Sequence, residues 1–201
     1  MKHKHLITFG SVVFVAWAVG TILFIVFWPH LVSNHFKKAI VDQGFGDGPV
    51  PINTLYTEPQ TLFGDPLHTS LPPGSSRLMS VGVNHDTLLT VGWLDLSKGP
   101  QVLHVPEFSG RYYSVQFTDP FNVDFAYVGT RTTGTQAGDY LITGADWKEQ
   151  VPSGMKQVSS PKNGVLVIGR VLVYSDSDLS SAYNLARQIQ IVPLTTWQPS
   201  R

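Results

Sequence analysis

From Leu6 to Trp28 the chain runs 23 residues without a charge (LITFGSVVFVAWAVGTILFIVFW), and this run constrains everything that follows it. Crossing a hydrocarbon core of about 30 Å takes about 20 helical residues, so the run is long enough to span a bilayer. It exceeds a signal-peptide core of about 7 to 15 residues, and Trp28-Pro29-His30 stand where a small-x-small cleavage site would be. The expectation is an uncleaved anchor, with the membrane engaged through residues 6–28. Lys2, Lys4 and the terminal amine precede the run and Lys37 and Lys38 follow it. That balance tilts toward a cytoplasmic N-terminus, and a long following domain translocates regardless of charge. Trp28 lies at the exit, where an indole places its N–H among headgroups, and Ala16 and Gly20 form one small-xxx-small pair.

Beyond the run, LVSNHFKKAIVDQ (31–43) has a short amphipathic pattern that extends the anchor helix or lies along the membrane surface. Gly44, Gly46 and Gly48 with Pro49 and Pro51 break it. The expected divisions are therefore 1–30, a short cytoplasmic N-terminus and anchor; 31–51, a juxtamembrane helix and linker; and 52–201, an extracytoplasmic β domain. Lys plus Arg equals Asp plus Glu at 14 each, so no global field draws nucleic acid to the chain. There is no cysteine, which removes disulfides, thiolate metal sites and thiol nucleophiles.

Residues 52–76 read as an extended lead-in over the core. Strand-like runs then follow at 77–84, 87–96, 101–106, 111–118, 123–129, 139–143 and 164–174, separated by turn signals such as Ser97-Lys98-Gly99-Pro100 and Pro161-Lys162-Asn163-Gly164. Leu179, Ala182, Tyr183, Leu185, Ala186 and Ile189 make one helical face behind a cap at Ser177 or Asp178, and 189–194 suits a last edge strand. The fold class is mainly β: an antiparallel β-sandwich or barrel-like domain with one C-terminal covering helix, preceded by a single transmembrane helix.

Several motifs in order carry a resemblance. They are Asn84-His85-Asp86-Thr87, Leu94-Asp95-Leu96-Ser97-Lys98-Gly99-Pro100, Gly110-Arg111-Tyr112-Tyr113, Gly129-Thr130-Arg131-Thr132-Thr133-Gly134 and the strand with Ile168-Gly169-Arg170. Over roughly 84–194 the chain resembles the bacterial proteins catalogued as domain of unknown function 1254. The resemblance implies a β-sandwich, often fused to a second β domain catalogued as domain of unknown function 1214. The resemblance to the short single-span members implies a separately encoded companion β-domain protein as partner, with a homo-oligomer as the other option. It also implies a bacterial inner (plasma) membrane, with the β domain periplasmic. The chain departs from the family pattern at His85, commonly Arg, and at Leu89, usually Tyr, so an activity needing those side chains is not implied.

The polar residues that could carry chemistry fall in the same motifs. Asn84, Asp86, Arg111, Tyr113, Arg131 and Thr132 form a candidate ligand set, since a guanidinium fork matches a carboxylate and aromatic faces stack on rings. The competing reading is a buried Asp–Arg pair with Thr hydroxyls capping turn backbone. If the chain is an enzyme, Asp86, His85, Arg111 and Tyr112 are the residues to test. No Gly-x-Ser-x-Gly elbow or Gly-rich phosphate loop occurs. The His at 68, 85 and 104 lack metal-ligand spacing, so no cofactor and no metal are expected. The leading expectation is an assembly or small-ligand-binding module that pairs with a second β-domain subunit. The alternatives are a hydrolase-like enzyme acting on a small envelope substrate and an accessory subunit of a larger membrane complex.

Overall fold

In the computed structural model, which describes residues 2–43, 48–57 and 86–198, the charge-free run lies inside one long helix, α1 (Lys2–Lys38). The helix continues through Pro29 and closes in a five-residue π-helical turn, Ala39–Gln43. It is the one helix among the described residues long and apolar enough to cross a membrane, and none of its most apolar window is buried within the chain. Phe14, Trp17, Ile22 and Ile25 are all more than half exposed, unlike the core helix of a soluble domain.

The rest is mainly β. The strands are β1 (Tyr56–Thr57), β2 (Thr87–Asp95), β3 (Gln101–Val105), β4 (Tyr113–Thr118), β5 (Asp124–Gly129), β6 (Gly138–Thr143), β7 (Lys156–Ser159), β8 (Gly164–Leu172) and β9 (Gln190–Pro193), with helix α2 (Leu179–Ala186) between β8 and β9. One antiparallel sheet has the order β1-β2-β8-β4-β5, and the other has the order β7-β6-β3-β9, in which β7 runs parallel to β6. Neither closes into a barrel. Leu88, Leu94, Val115, Phe117 and Val167 from the first sheet and Leu103, Val105, Ile142 and Ile191 from the second bury into a common core. Ala182 and Ala186 of α2 complete it, so the helix covers the core as its apolar face predicts. The predicted strand at 77–84, the lead-in from 58 onward, Asn84 and His85 lie outside the described residues.

Strand β2 shows how the two faces of the first sheet differ. A strand with one wet face alternates in burial, as β8 does along its whole length. TLLTVGWLD of β2 is buried at nearly every position, because its outer face is covered as well. Ile40 of the π-helical turn and Val50 pack there against Val91, joined by Leu89, Leu166 and Ile168. The lead-in crosses the core side of the same strand: Asn53 N donates to Trp93 O at 2.9 Å and Asn53 Oδ1 accepts from Asp95 N at 2.8 Å. Gly92 is required at the crossing, since a Cβ there would run into the Thr54 carbonyl and the Leu55 side chain.

Two elements were missed by pattern alone. Tyr56–Thr57 is a two-residue strand inside the expected loop. Lys156–Ser159 exposes all but Val158, so it presents no alternation for a sequence reading to detect.

Candidate functional site

The Gly110–Tyr113 turn feeds β4, and its three polar side chains part company. Arg111 is turned inward and forms a two-pronged ion pair with Asp178, Nη1 to Oδ2 at 2.5 Å and Nη2 to Oδ1 at 2.6 Å. Its Nη1 also donates to the Leu172 carbonyl at 2.7 Å, and its guanidinium lies 4.8 Å from the Tyr174 ring centroid. Asp178 further accepts from Tyr174 N at 3.0 Å. These bonds, the Arg111 fork first among them, hold its carboxyl down to about 2. The cap expected at the start of α2 is therefore absent: Asp178 occupies the capping position, but its side chain bonds no helix N–H. Asp86 is exposed, and its carbonyl accepts from Val173 N at 2.7 Å. Arg111 thus finds its carboxylate in Asp178, 67 residues on, and not in Asp86.

Tyr112 and Arg131 meet on the outer face of the first sheet. The loop after β5 is fastened by its own threonines. Thr130 Oγ1 accepts from Tyr113 N at 3.0 Å, Thr133 Oγ1 from Gly129 N at 3.0 Å, and Thr132 Oγ1 donates to the Tyr127 carbonyl at 3.1 Å. Gly129 lets this loop close onto β4, because a Cβ there would stand 2.5 Å from Tyr113 O and 2.8 Å from Ser114 Cα. The hydroxyls are used in holding the turn, and Arg131 is left exposed with its guanidinium 5.4 Å from the Tyr112 ring centroid. Tyr113 takes the opposite direction: its ring is fully buried, stacked on Phe108 at 4.0 Å, and burial raises its phenol pKa.

Beneath Arg131 lies a groove of about 470 Å³, with Tyr112, Ser114, Tyr127, Thr132 and Arg170 on its walls. Arg170 stands opposite Ser114 in register and donates to Gln116 Oε1 at 3.1 Å. Gln116 in turn donates to Asp124 at 2.8 Å, as do Thr118 at 2.7 Å and Tyr127 at 2.8 Å. Burial pushes the Asp124 carboxyl up, yet these three bonds and the nearby Arg170 outweigh it, and its pKa is lowered. The bond to Asp124 raises the Tyr127 phenol in return. The groove therefore has one cation satisfied by a network, Arg170, and one that no carboxylate pairs with among the described residues, Arg131. Two guanidiniums, two phenols and small hydroxyls make a surface suited to an anion or a hydroxylated ring.

Neither Arg170, quoted above only as part of a family motif, nor Tyr127 is among the candidate ligand residues that the sequence suggests. A lone arginine in the apolar run GVLVIGRVLVY, at an outward position, was the available signal. On the other sheet His104 Nδ1 lies 2.7 Å from Asp139 Oδ1 on the neighbouring strand. Among the described residues no group of three or more His, Cys, Asp or Glu is placed to hold a metal ion.

The VPA0106 protein from Vibrio parahaemolyticus, known from a crystal structure, is similar to this chain with 30% identity and a TM-score of 0.54, over 59% of this chain and 32% of that one. The chain thus spans about a third of that protein's length. No curated protein matches it. The model of the family described as "Protein of unknown function (DUF1254)" matches residues 63–193, and the chain belongs to that family.

Proposed function

We propose that the chain is a membrane-tethered binding module. One N-terminal span holds a two-sheet β domain on the periplasmic side of a bacterial inner membrane, and the groove under Arg131 takes a small anionic ligand. The observation that carries the ligand is Arg131 itself: exposed, stacked on Tyr112 and without a carboxylate partner among the described residues. A guanidinium oriented by an aromatic face is prepared for a carboxylate or phosphate at little further ordering cost. The span is supported by an apolar helix, long enough to cross a bilayer, that the domain does not bury.

Titration calorimetry on the full-length protein in nanodiscs, with inorganic phosphate, acetate and galacturonate as probes, tests the groove. Binding of at least one, lost in Arg131→Gln with the melting temperature unchanged, is expected. No binding, or binding that Arg131→Gln leaves intact, contradicts the reading.

Pairing with a companion β-domain subunit is the second part of the proposal. The VPA0106 protein has about two-thirds of its length outside the match. A companion subunit would provide comparable extra structure here, and the first half of β5, at the end of its sheet among the described residues and ahead of the Tyr127 and Gly129 groups that the loop threonines occupy, is an edge where a short strand can add.

A further inference from the structure

We infer that the turn joining β4 to β5 is a second membrane contact, with Phe121 and Val123 seated in the interfacial layer of the bilayer beside Trp28 and Lys162 at the level of the lipid phosphates. This rests on the reading of residues 6–28 as a span.

The turn is built to present those side chains rigidly. Asp119, nearly buried, accepts from Phe121 N at 2.8 Å and Val123 N at 3.0 Å through one carboxylate oxygen. Its backbone closes the same loop, with Asp119 N donating to Val123 O at 2.9 Å and Asn122 N to Asp119 O at 3.0 Å. Asn122 takes the left-handed conformation at φ 63°, which asparagine tolerates better than most residues. At the tip of this fixed turn Phe121 is 40% exposed and Val123 56% exposed.

Their position relative to the helix says what covers them. The Phe121 ring meets the His30 ring edge-on with centroids 4.7 Å apart. His30 is two residues past Trp28, about 3 Å along a helix axis. A headgroup layer is roughly 5 to 8 Å deep on each side of the hydrocarbon. A tip in contact with His30 is therefore at headgroup depth whenever residues 6–28 cross the bilayer. Lys162 places its ammonium 5.6 Å from the Phe121 ring centroid, which puts a cation at the depth of the phosphates, where a lysine stem lies along apolar surface with its head in the polar layer. Between the helix and the tip runs a cleft of about 350 Å³, walled by Trp28, Val32 and Phe36 on one side and by Trp93, Pro120 and Leu166 on the other. Its apolar walls beside the exit of the span suit a lipid chain.

The chain has no cysteine, so single-cysteine probes report one position each. Full-length Val123→Cys, Phe14→Cys and Ser180→Cys carry an environment-sensitive fluorophore in vesicles of phosphatidylethanolamine and phosphatidylglycerol, with nitroxide lipids labelled at the headgroup or deep in the chain. The Val123 probe is expected to shift to the blue and to be quenched most by the headgroup nitroxide. The Phe14 probe should be quenched most by the deep nitroxide, and the Ser180 probe, on exposed α2 surface, by neither. Lys162→Cys, exposed beside the tip and outside the turn, repeats the measurement should the first probe disturb it. If the tip probes behave as Ser180 does, or are shielded from both water and lipid by a second copy, while Phe14 remains lipid-quenched, the membrane contact is overturned and the span stands. If the Phe14 probe is not quenched, the span reading fails and takes the tip with it.

Discussion

Arg111 and Arg131 lie twenty residues apart and are used in opposite ways. Arg111 is nearly buried, and its three hydrogen bonds to Asp178 and Leu172 fasten the chain after β8 to the start of β4. Arg131 is exposed on a loop that threonines have already ordered. The first is a structural clasp, so its removal should be read in stability. Replacing Asp178 by Asn keeps the shape and removes the charge, and is expected to cost about 1.5 to 3 kcal/mol, the range for hydrogen bonds to charged groups. The acid dependence follows from the direction of the shift. Asp178 titrates near 2 in the folded chain and near 4 when unfolded, so its contribution is fully present above about pH 4 and drains away as pH falls through 2. Denaturant melts of the full-length protein between pH 6 and pH 2.5 should show that loss in the native sequence and a flatter acid limb in Asp178→Asn. An equal slope in both would contradict the clasp. The sequence displayed both arginines but not their fates, because Asp178 is remote in the chain and, read locally, is a helix cap.

Among the elements, the end of α1 is where the apolar helix and the β domain become one body. Residues 29 to 43 extend about 22 Å past Trp28 at helical rise, and Ile40, 2% exposed, is the side chain that seats them on the outer face of β2. Ile40→Ala removes that contact from a site bounded by Val50 and Val91, for an expected loss of about 2 to 4 kcal/mol. Hydrogen exchange should then show β2 amides opening faster while β3 and β6 of the other sheet keep their protection; unchanged exchange in β2 would mean that the helix end does not support the sheet. Strands with a strong pattern were legible from sequence to within a residue or two: β2, β3, β5, β6 and β8 fall inside the predicted runs or overhang them by one residue. β4 begins at Tyr113 where 111 was expected, since Arg111 and Tyr112 complete the turn. β1 and β7 were not legible, being short and held by neighbours instead of by alternation of their own. The parallel pairing of β7 with β6 depends on a return path that no local motif encodes.

At the scale of the molecule the helix, the β4–β5 turn and the groove share one side of the first sheet. Gly129 is five residues from Asp124, so the groove lies about 15 to 20 Å along β5 from the β4–β5 tip, at about 3.3 Å per residue. In this account a ligand is met outside the lipid, on a domain whose height and tilt are fixed at two points. The class of fold was readable because charge-free length and period-two burial are local properties. The groove was readable only in part: Arg131, Thr132 and Tyr112 stood out by type, whereas Arg170 and Tyr127 join them through strand order. All of it depends on the tether. Ser153→Cys in the full-length protein, on an exposed turn of the β domain, can be labelled in spheroplasts with a membrane-impermeant maleimide, followed by alkaline extraction of the membranes. The account predicts labelling without lysis and an intact-length protein that stays in the extracted membrane. Labelling only after lysis, or recovery of a shortened soluble protein lacking residues 6–28, would contradict it.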